Sequence, residues 1–364
     1  MSATERQQGN CVSPCRQLAG YINTNSPADP AGRACLIAFF LGSLVCALSG
    51  CGSDRPTLTF ATGNPSGIYY PYGGGLSSIW SQTLPGVNVK AEVTGASVIN
   101  VIQVARGESE VGIAMGDVVV SAYRGEDRFP EPLPLRTLFA AYPNFVHLVA
   151  MADADIHHFA DLRGKRVSMG APGSGTAVAA ENLLAGLGVG ESELNAQYLN
   201  FSGTADGLKD GVLDAAFVVG GLGIGVVKEL ALTRDIVLVS FSTEEVRRLG
   251  ERYPAYVPAD IPQGTYRGVE EKVSTLSIWN LVVVNAAMED ELAYRLVCSL
   301  YQNQADLESI VAAASFTTPG NARVMSAVPL HPGAQRFLDA LDASDSKVLA
   351  DALGKDNPTN WDCS

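Results

Sequence analysis

Charge is scarce in this chain. Lys, Arg, Asp and Glu together make up 17% of the 364 residues, and 25 cations face 38 acidic groups for a formal net charge of −13. Nucleic acid, which needs a basic surface, is thereby excluded as a partner. Histidine is rarer still: His147, His157, His158 and His331 are scattered, and no Cys-x-x-Cys occurs, so neither a metal nor a cofactor is expected. Adjacent His157 and His158 point apart on a regular strand or helix and read as a surface loop. Catalytic motifs are missing as well. Gly173-Ser174-Gly175 is not Gly-x-Ser-x-Gly, and Gly170–Thr176 lacks the Gly-Lys-Ser/Thr of a phosphate loop. The glycine run from Gly220 to Gly225 follows a strand but lacks dinucleotide spacing. No catalytic residue is assigned, and an enzyme is not expected; the enzymatic rival would be a hydrolase. Nor is there an apolar run of bilayer length, which takes roughly 20 residues. The one long run, Ala34–Leu48, has 15.

The flanks of that run give it a meaning. Arg33 precedes it, and Leu48-Ser49-Gly50-Cys51 closes it with small residues and a cysteine, the form of a bacterial lipoprotein processing site. Residues 1–50 then read as a removed signal and prefix, with Cys51 lipidated and the mature chain tethered outside the cytoplasm, in the periplasm. Removing this segment, which carries +1, leaves −14 on the remainder. Four of the seven cysteines go with it. Cys298, in an apolar helical pattern, reads as a packed thiol, while an oxidising compartment leaves a bridge to Cys363 open.

From Leu58 onward one pattern repeats: a short apolar strand, a glycine-bearing turn, a helix. Parallel strands buried on both faces and joined by helical crossovers fit it. Strands are expected at Leu58–Thr62, Val87–Val93 and Val111–Met115, then at Leu135–Tyr142 and Val146–Met151 in quick succession, the second carrying the chain into another lobe. The pattern restarts with strands at Arg166–Met169, Gln197–Phe201, Asp214–Val219 and Ile236–Phe241. A Pro- and Gly-rich loop spans Pro254–Gly268, and Leu276–Val284 returns the chain to the first lobe. The fold class is therefore α/β with two lobes, lobe 1 comprising 56–147 with 275–364 and lobe 2 comprising 148–274.

In open α/β sheets, ligands sit beyond the carboxyl ends of strands. Four such turns here carry small polar residues: Thr62–Tyr70, Thr94–Ser97, Gly116-Asp117 and Ala171–Thr176. Glycine lets the backbone approach an anion, and the first N–H groups of a helix point at it. Ser66, Ser97, Ser174 and Thr176 add hydroxyls, and Tyr69 or Tyr70 covers an aliphatic part. Asp117 reads either as a partner for a ligand ammonium or as a helix cap.

These turns also carry a resemblance. Gly67-Ile68-Tyr69-Tyr70-Pro71 with Gly73-Gly74, Thr94-Gly95-Ala96-Ser97 followed by Asn100, Asp161–Val167, Gly170–Thr176 and His331–Ala334 occur in the order seen in TAXI-class solute-binding proteins. Over Leu58–Phe337 the chain resembles these receptors of tripartite ATP-independent periplasmic (TRAP) transporters. The resemblance implies a type II periplasmic binding protein whose lobes are joined by crossing strands. It further implies a monomeric receptor for a small organic anion or amino acid, glutamate-like or dicarboxylate, that delivers it to a membrane permease. The implied site comprises Gly63, Ser66, Tyr69, Thr94, Ser97, Asp117, Ser174 and Thr176, with Phe217–Gly221, Phe217 and Gly220 in particular, on the far wall. Pro65 stiffens the first turn and removes an N–H. A lipoprotein of the same fold that reports its ligand to a membrane kinase is the alternative.

Overall fold

A computed structural model describes residues 57–351 and 363, with side chains for 57–343 and 363. The expected signal segment and Cys51 lie outside the described residues. The described chain forms an α/β fold on a ten-stranded sheet. β1 (Thr57–Ala61), β2 (Asn88–Glu92) and β3 (Val111–Met115) are parallel, in the order β2-β1-β3. Their connections are α1 (Tyr69–Thr83) and α2 (Ser97–Arg106), and α3 (Gly116–Arg124) follows β3. The second lobe repeats the scheme with β5 (Arg166–Ser168), β6 (Asn195–Gln197) and β7 (Ala215–Gly220), in the order β7-β5-β6. Its helices are α4 (Gly175–Leu187), α5 (Phe201–Lys209), α6 (Gly225–Thr233) and α7 (Thr243–Arg252).

Two long antiparallel strands join the lobes. β4 runs unbroken over Leu135–Met151, so the two strands expected there are one, with Pro143 accommodated inside it. Pro143 lies opposite Trp279 at a register shift of the partner strand β10 (Val273–Asn285), where a missing ladder N–H costs least. The first part of β4 pairs with β10, from Leu135↔Asn285 to Ala140↔Leu281, and bridges Leu330 at Thr137. Its last part pairs with β7, from Phe145↔Gly220 to Ala150↔Ala215. β8 (Ile236–Leu238) adds to β4, and β9 (Val257–Ile261) to β10. The segment expected to be loop thus holds an edge strand. Pro258 is tolerated there because an edge leaves one side of the ladder free. Helices α8 (Asp290–Gln302), α9 (Gln304–Ile310) and α10 (Pro332–Asp351) return over the first lobe.

Burial follows the pattern of strands covered on both faces. Phe60 and Trp80 stack with centroids 5.8 Å apart under α8, where the Trp80 indole N–H donates to Leu296 O at 2.9 Å. Cys298 is fully buried but not a free thiol: it is bridged to Cys363, with Cα atoms 5.7 Å apart. Among the described residues no helix is long and apolar enough to cross a membrane.

Candidate functional site

At the carboxyl ends of β1 and β3 one buried side chain organises the turns. Asn100 of α2, fully buried, donates to Thr62 O at 2.6 Å and to Ile113 O at 2.7 Å, and its Oδ1 accepts from the Thr94 hydroxyl. The N–H of Ala96 donates in turn to Thr94 Oγ1 at 3.0 Å. Ala96 takes φ 71°, ψ −146° as N-cap of α2, a conformation that favours glycine and costs of order 1–3 kcal/mol. The strain turns the start of α2 toward the second lobe. There the N–H of Val98 donates to Gly173 O at 3.0 Å.

The second lobe answers with the start of α4. Ser174 is its N-cap, accepting from the Ala177 N–H at 3.1 Å. A Cβ on Gly175 would run into Met115 Sδ and lie 2.7 Å from Ser97 Oγ, so only glycine lets the two helix starts come this close. Between them lies a cleft of about 240 Å³. The starts of α1, α2, α4 and α5 border it, and Tyr142 and Asn144 of β4 also line it. Among the described residues, the N–H groups of Ser97, Gly175 and Thr176 find no acceptor in the protein, as first-turn groups do not.

The structure brings Gly63, Tyr69, Thr94, Ser97, Ser174, Thr176 and Gly220 to this cleft. Not all of their polar groups face a ligand. The Thr94 proton serves Asn100, and Ser174 Oγ caps its own helix. Ser97 Oγ, almost wholly buried, accepts from the Met115 N–H at 3.1 Å and donates to Tyr69 Oη at 3.3 Å, since the Tyr69 proton goes to Asn280 Oδ1. The Thr176 hydroxyl makes no hydrogen bond among the described residues and is the freest donor of the set.

Three expected residues sit elsewhere. Ser66 lies at the rim, 3.3 Å from Ser202 of α5, its hydroxyl donating to Asn64 Oδ1. Phe217 is fully buried beneath β7 against Phe159, centroids 6.1 Å apart, because a strand sends alternate side chains to opposite faces. Asp117 turns away from the cleft, where its carboxylate accepts from the Tyr256 hydroxyl at 2.7 Å and from the Val118 N–H at 2.8 Å. Burial pushes its pKa up to about 6, against the pull of those two hydrogen bonds. It lies in the first turn of its helix and ties the lobes together through Tyr256.

Two further groups of residues take part that the turn motifs do not reveal. On the floor, Asn280 of β10 donates to Tyr142 O at 2.9 Å, while its Oδ1 accepts from Tyr69 Oη at 2.6 Å and Asn144 Nδ2 at 3.0 Å. Behind the far wall, His147 is fully buried, and burial pushes its pKa down to about 4. Its Nδ1 lies 3.0 Å from Val218 O and its Nε2 2.8 Å from Tyr266 Oη, which accepts the Gly223 N–H at 3.0 Å. This neutral imidazole fixes the glycine turn that delivers Gly220 and Ile224 to the cleft. A signal for the floor is present in the sequence: Asn144 and Asn280 are lone amides inside long apolar strands, and a buried amide requires partners.

The sequence profile of the NMT1-like family matches residues 60–339. Among solved structures, MatC from Rhodopseudomonas palustris with bound malate is similar over 79% of this chain and 98% of its own, at 11% identity and a TM-score of 0.52. The alkanesulfonate-binding protein SsuA from Xanthomonas axonopodis pv. citri bound to MOPS is 14% identical over 85% of this chain and 99% of its own, at 0.44. A putative L-cystine ABC transporter from Listeria monocytogenes is 16% identical over 70% and 93% respectively, at 0.43. At such identities the likeness is one of fold.

Proposed function

This chain belongs to the NMT1-like family, and from that premise we propose that it is an extracytoplasmic receptor for a small organic anion or amino acid. In this reading the solute is held between the lobes and handed to the membrane subunits of a TRAP transporter. One observation carries it: unpaired N–H groups at the starts of α2 and α4, from different lobes, face a single cleft that the Val98–Gly173 hydrogen bond closes. Helix starts of this kind attract negative charge without a covalent step. Malate bound to MatC, a protein of related fold, agrees with an anion here.

The lobes of this reading are 56–147 with 275–364 and 148–274, hinged where β4 and β10 cross. Ligand contacts are assigned to Ser97, Thr176 and the backbone of Gly175, with Tyr69 and Gly220 shaping the walls. A cleft of about 240 Å³ lies below the range of roughly 300–1,000 Å³ that suits drug-sized ligands, which points to a small metabolite. Cys51 is the proposed lipid anchor, and the receptor acts as a monomer in the periplasm. The five sequence words shared with TAXI receptors support the TRAP assignment.

Small-angle scattering tests the binding mode. Saturation with a bound carboxylate should compact the protein, because ligand contacts to both lobes favour the closed form. An unchanged profile at saturation rules out closure. Uptake by cells carrying the cognate permease, with and without this chain, tests the delivery step; equal uptake removes it.

A further inference from the structure

The cleft is unusual for an anion site in one respect: among the described residues, no Lys, Arg, His, Asp or Glu lines it. Its polar groups nevertheless have a definite sense, fixed by the floor. Asn280 must present its NH2 to Tyr142 O, so its Oδ1 faces the other way as an acceptor. That oxygen takes the Tyr69 O–H and, beside it, one half of the Asn144 amide, which has to be the NH2. The remaining atom of Asn144 is therefore its carbonyl oxygen. Asn144 is 3% exposed and Oδ1 has no partner; Tyr142 is 1% exposed and its hydroxyl has none either, among the described residues. Both residues line the cleft. Such groups are costly to leave unmade, by about 1–3 kcal/mol each.

We infer that Asn144 and Tyr142 form a subsite, an acceptor at Asn144 Oδ1 beside a donor at Tyr142 Oη, that selects a monocarboxylate bearing an uncharged hydrogen-bond donor, a 2-hydroxy acid with an apolar remainder. The inference rests on the receptor reading above and narrows its solute. The carboxylate goes to the N–H groups of Ser97, Gly175 and Thr176. The hydroxyl donates to Asn144 Oδ1 and accepts from Tyr142. The apolar remainder meets Ile68, Met115, Phe201 and Ile224. A second carboxylate has no cation to pair with and would be set against the lone pairs of Asn144. An ammonium fares no better, because a buried cation needs a counter-charge, and Asp117, the carboxylate just after β3, is engaged outside the cleft with Tyr256. The dicarboxylate and glutamate-like solutes implied by the family resemblance are thus disfavoured by the floor of this particular cleft.

Calorimetric titration of the purified chain decides the matter, using 2-hydroxy acids, 2-oxo acids, 2-amino acids and 2-hydroxy dicarboxylates in matched series of increasing length. The expected order puts a 2-hydroxy monocarboxylate first. Its 2-oxo counterpart, lacking the donor, should bind about tenfold more weakly, and the amino acid and dicarboxylate weaker still. Asn144→Leu should collapse the hydroxy-to-oxo ratio toward one. Tyr142→Phe, which removes a single oxygen and spares the fold, takes away a donor that hydroxy and oxo groups can both use, and should weaken both series severalfold. A dicarboxylate or amino acid binding tightest overturns the inference and leaves the receptor standing, as does a ratio unmoved by Asn144→Leu or an affinity unmoved by Tyr142→Phe. Silence from every series overturns both.

Discussion

Asp117 shows how little a residue type reveals about its role. An acidic residue after a strand, ahead of a helix and among glycine turns, reads as a ligand contact or a helix cap; its carboxylate instead accepts from Tyr256 across the lobes. Its raised pKa has a consequence for stability. A carboxyl that holds its proton more tightly in the fold than its ordinary 3.8 stabilises the fold below about pH 4, and that contribution is lost as pH rises through about 6. Two pH units correspond to about 3 kcal/mol. Asp117→Asn should remove this decline between pH 4 and 6 and raise the melting temperature at pH 7. A variant whose melting temperature tracks that of the wild type from pH 4 to 7 would contradict the burial argument. His147 titrates in the opposite sense. Its folded pKa of about 4 lies below the ordinary 6.5, so its contribution is intact above 6.5 and is lost as pH falls toward 4. The two therefore offset one another in the wild type, and the Asp117→Asn variant should expose the acid-side loss due to His147. Tyr266→Phe strips partners from both His147 Nε2 and the Gly223 N–H, and chemical denaturation should register about 1–3 kcal/mol lost.

The elements are largely legible in the sequence, and the exceptions have physical causes. Gly63, Thr94, Ser97, Ser174, Thr176 and Gly220 can be placed because glycine and hydroxyl residues at strand ends mark where a backbone comes close to something. Phe217 cannot, because being in a wall strand does not fix which face a side chain takes. Asn144 and Asn280 escape notice because an apolar strand reads as burial and the single amide within it as noise. β4 reads as two strands because proline usually ends one; here Pro143 falls at a register shift in β10. The approach of α2 to α4 is implied by Gly175, but not its tightness. Gly175→Ala drives a methyl into Met115 Sδ and to 2.7 Å from Ser97 Oγ. Overpacking of about 1–3 kcal/mol in the closed form should weaken ligand binding roughly ten- to a hundredfold. Scattering should also find the variant more open; unchanged affinity would mean that the lobes need not meet here.

At the scale of the whole molecule, a closed two-lobed form is held by contacts that are individually modest. Val98 to Gly173, Tyr256 to Asp117 and the partly exposed Arg128–Glu181 pair at 2.6 Å are the main polar ties between α2, α3, α4 and their neighbours. A partly exposed ion pair contributes little, so opening is easy and ligand contacts can decide the balance. The Cys298–Cys363 bridge is of another kind, closing a loop of sequence separation 65 on the first lobe alone. Chain-entropy reasoning gives it about 4 kcal/mol. Cys363→Ser should lower the melting temperature under oxidising conditions while leaving ligand affinity unchanged; a change in affinity would place the bridge in the binding cycle.

Native mass spectrometry of the chain purified directly from the membranes that carry it, with the bound species then released by acid and identified, is the most direct measurement. A single small organic acid carrying one carboxylate and one hydroxyl, at one per chain and absent from Gly175→Ala, is the expected result. A stoichiometric nucleotide, sugar or cation in its place would contradict it.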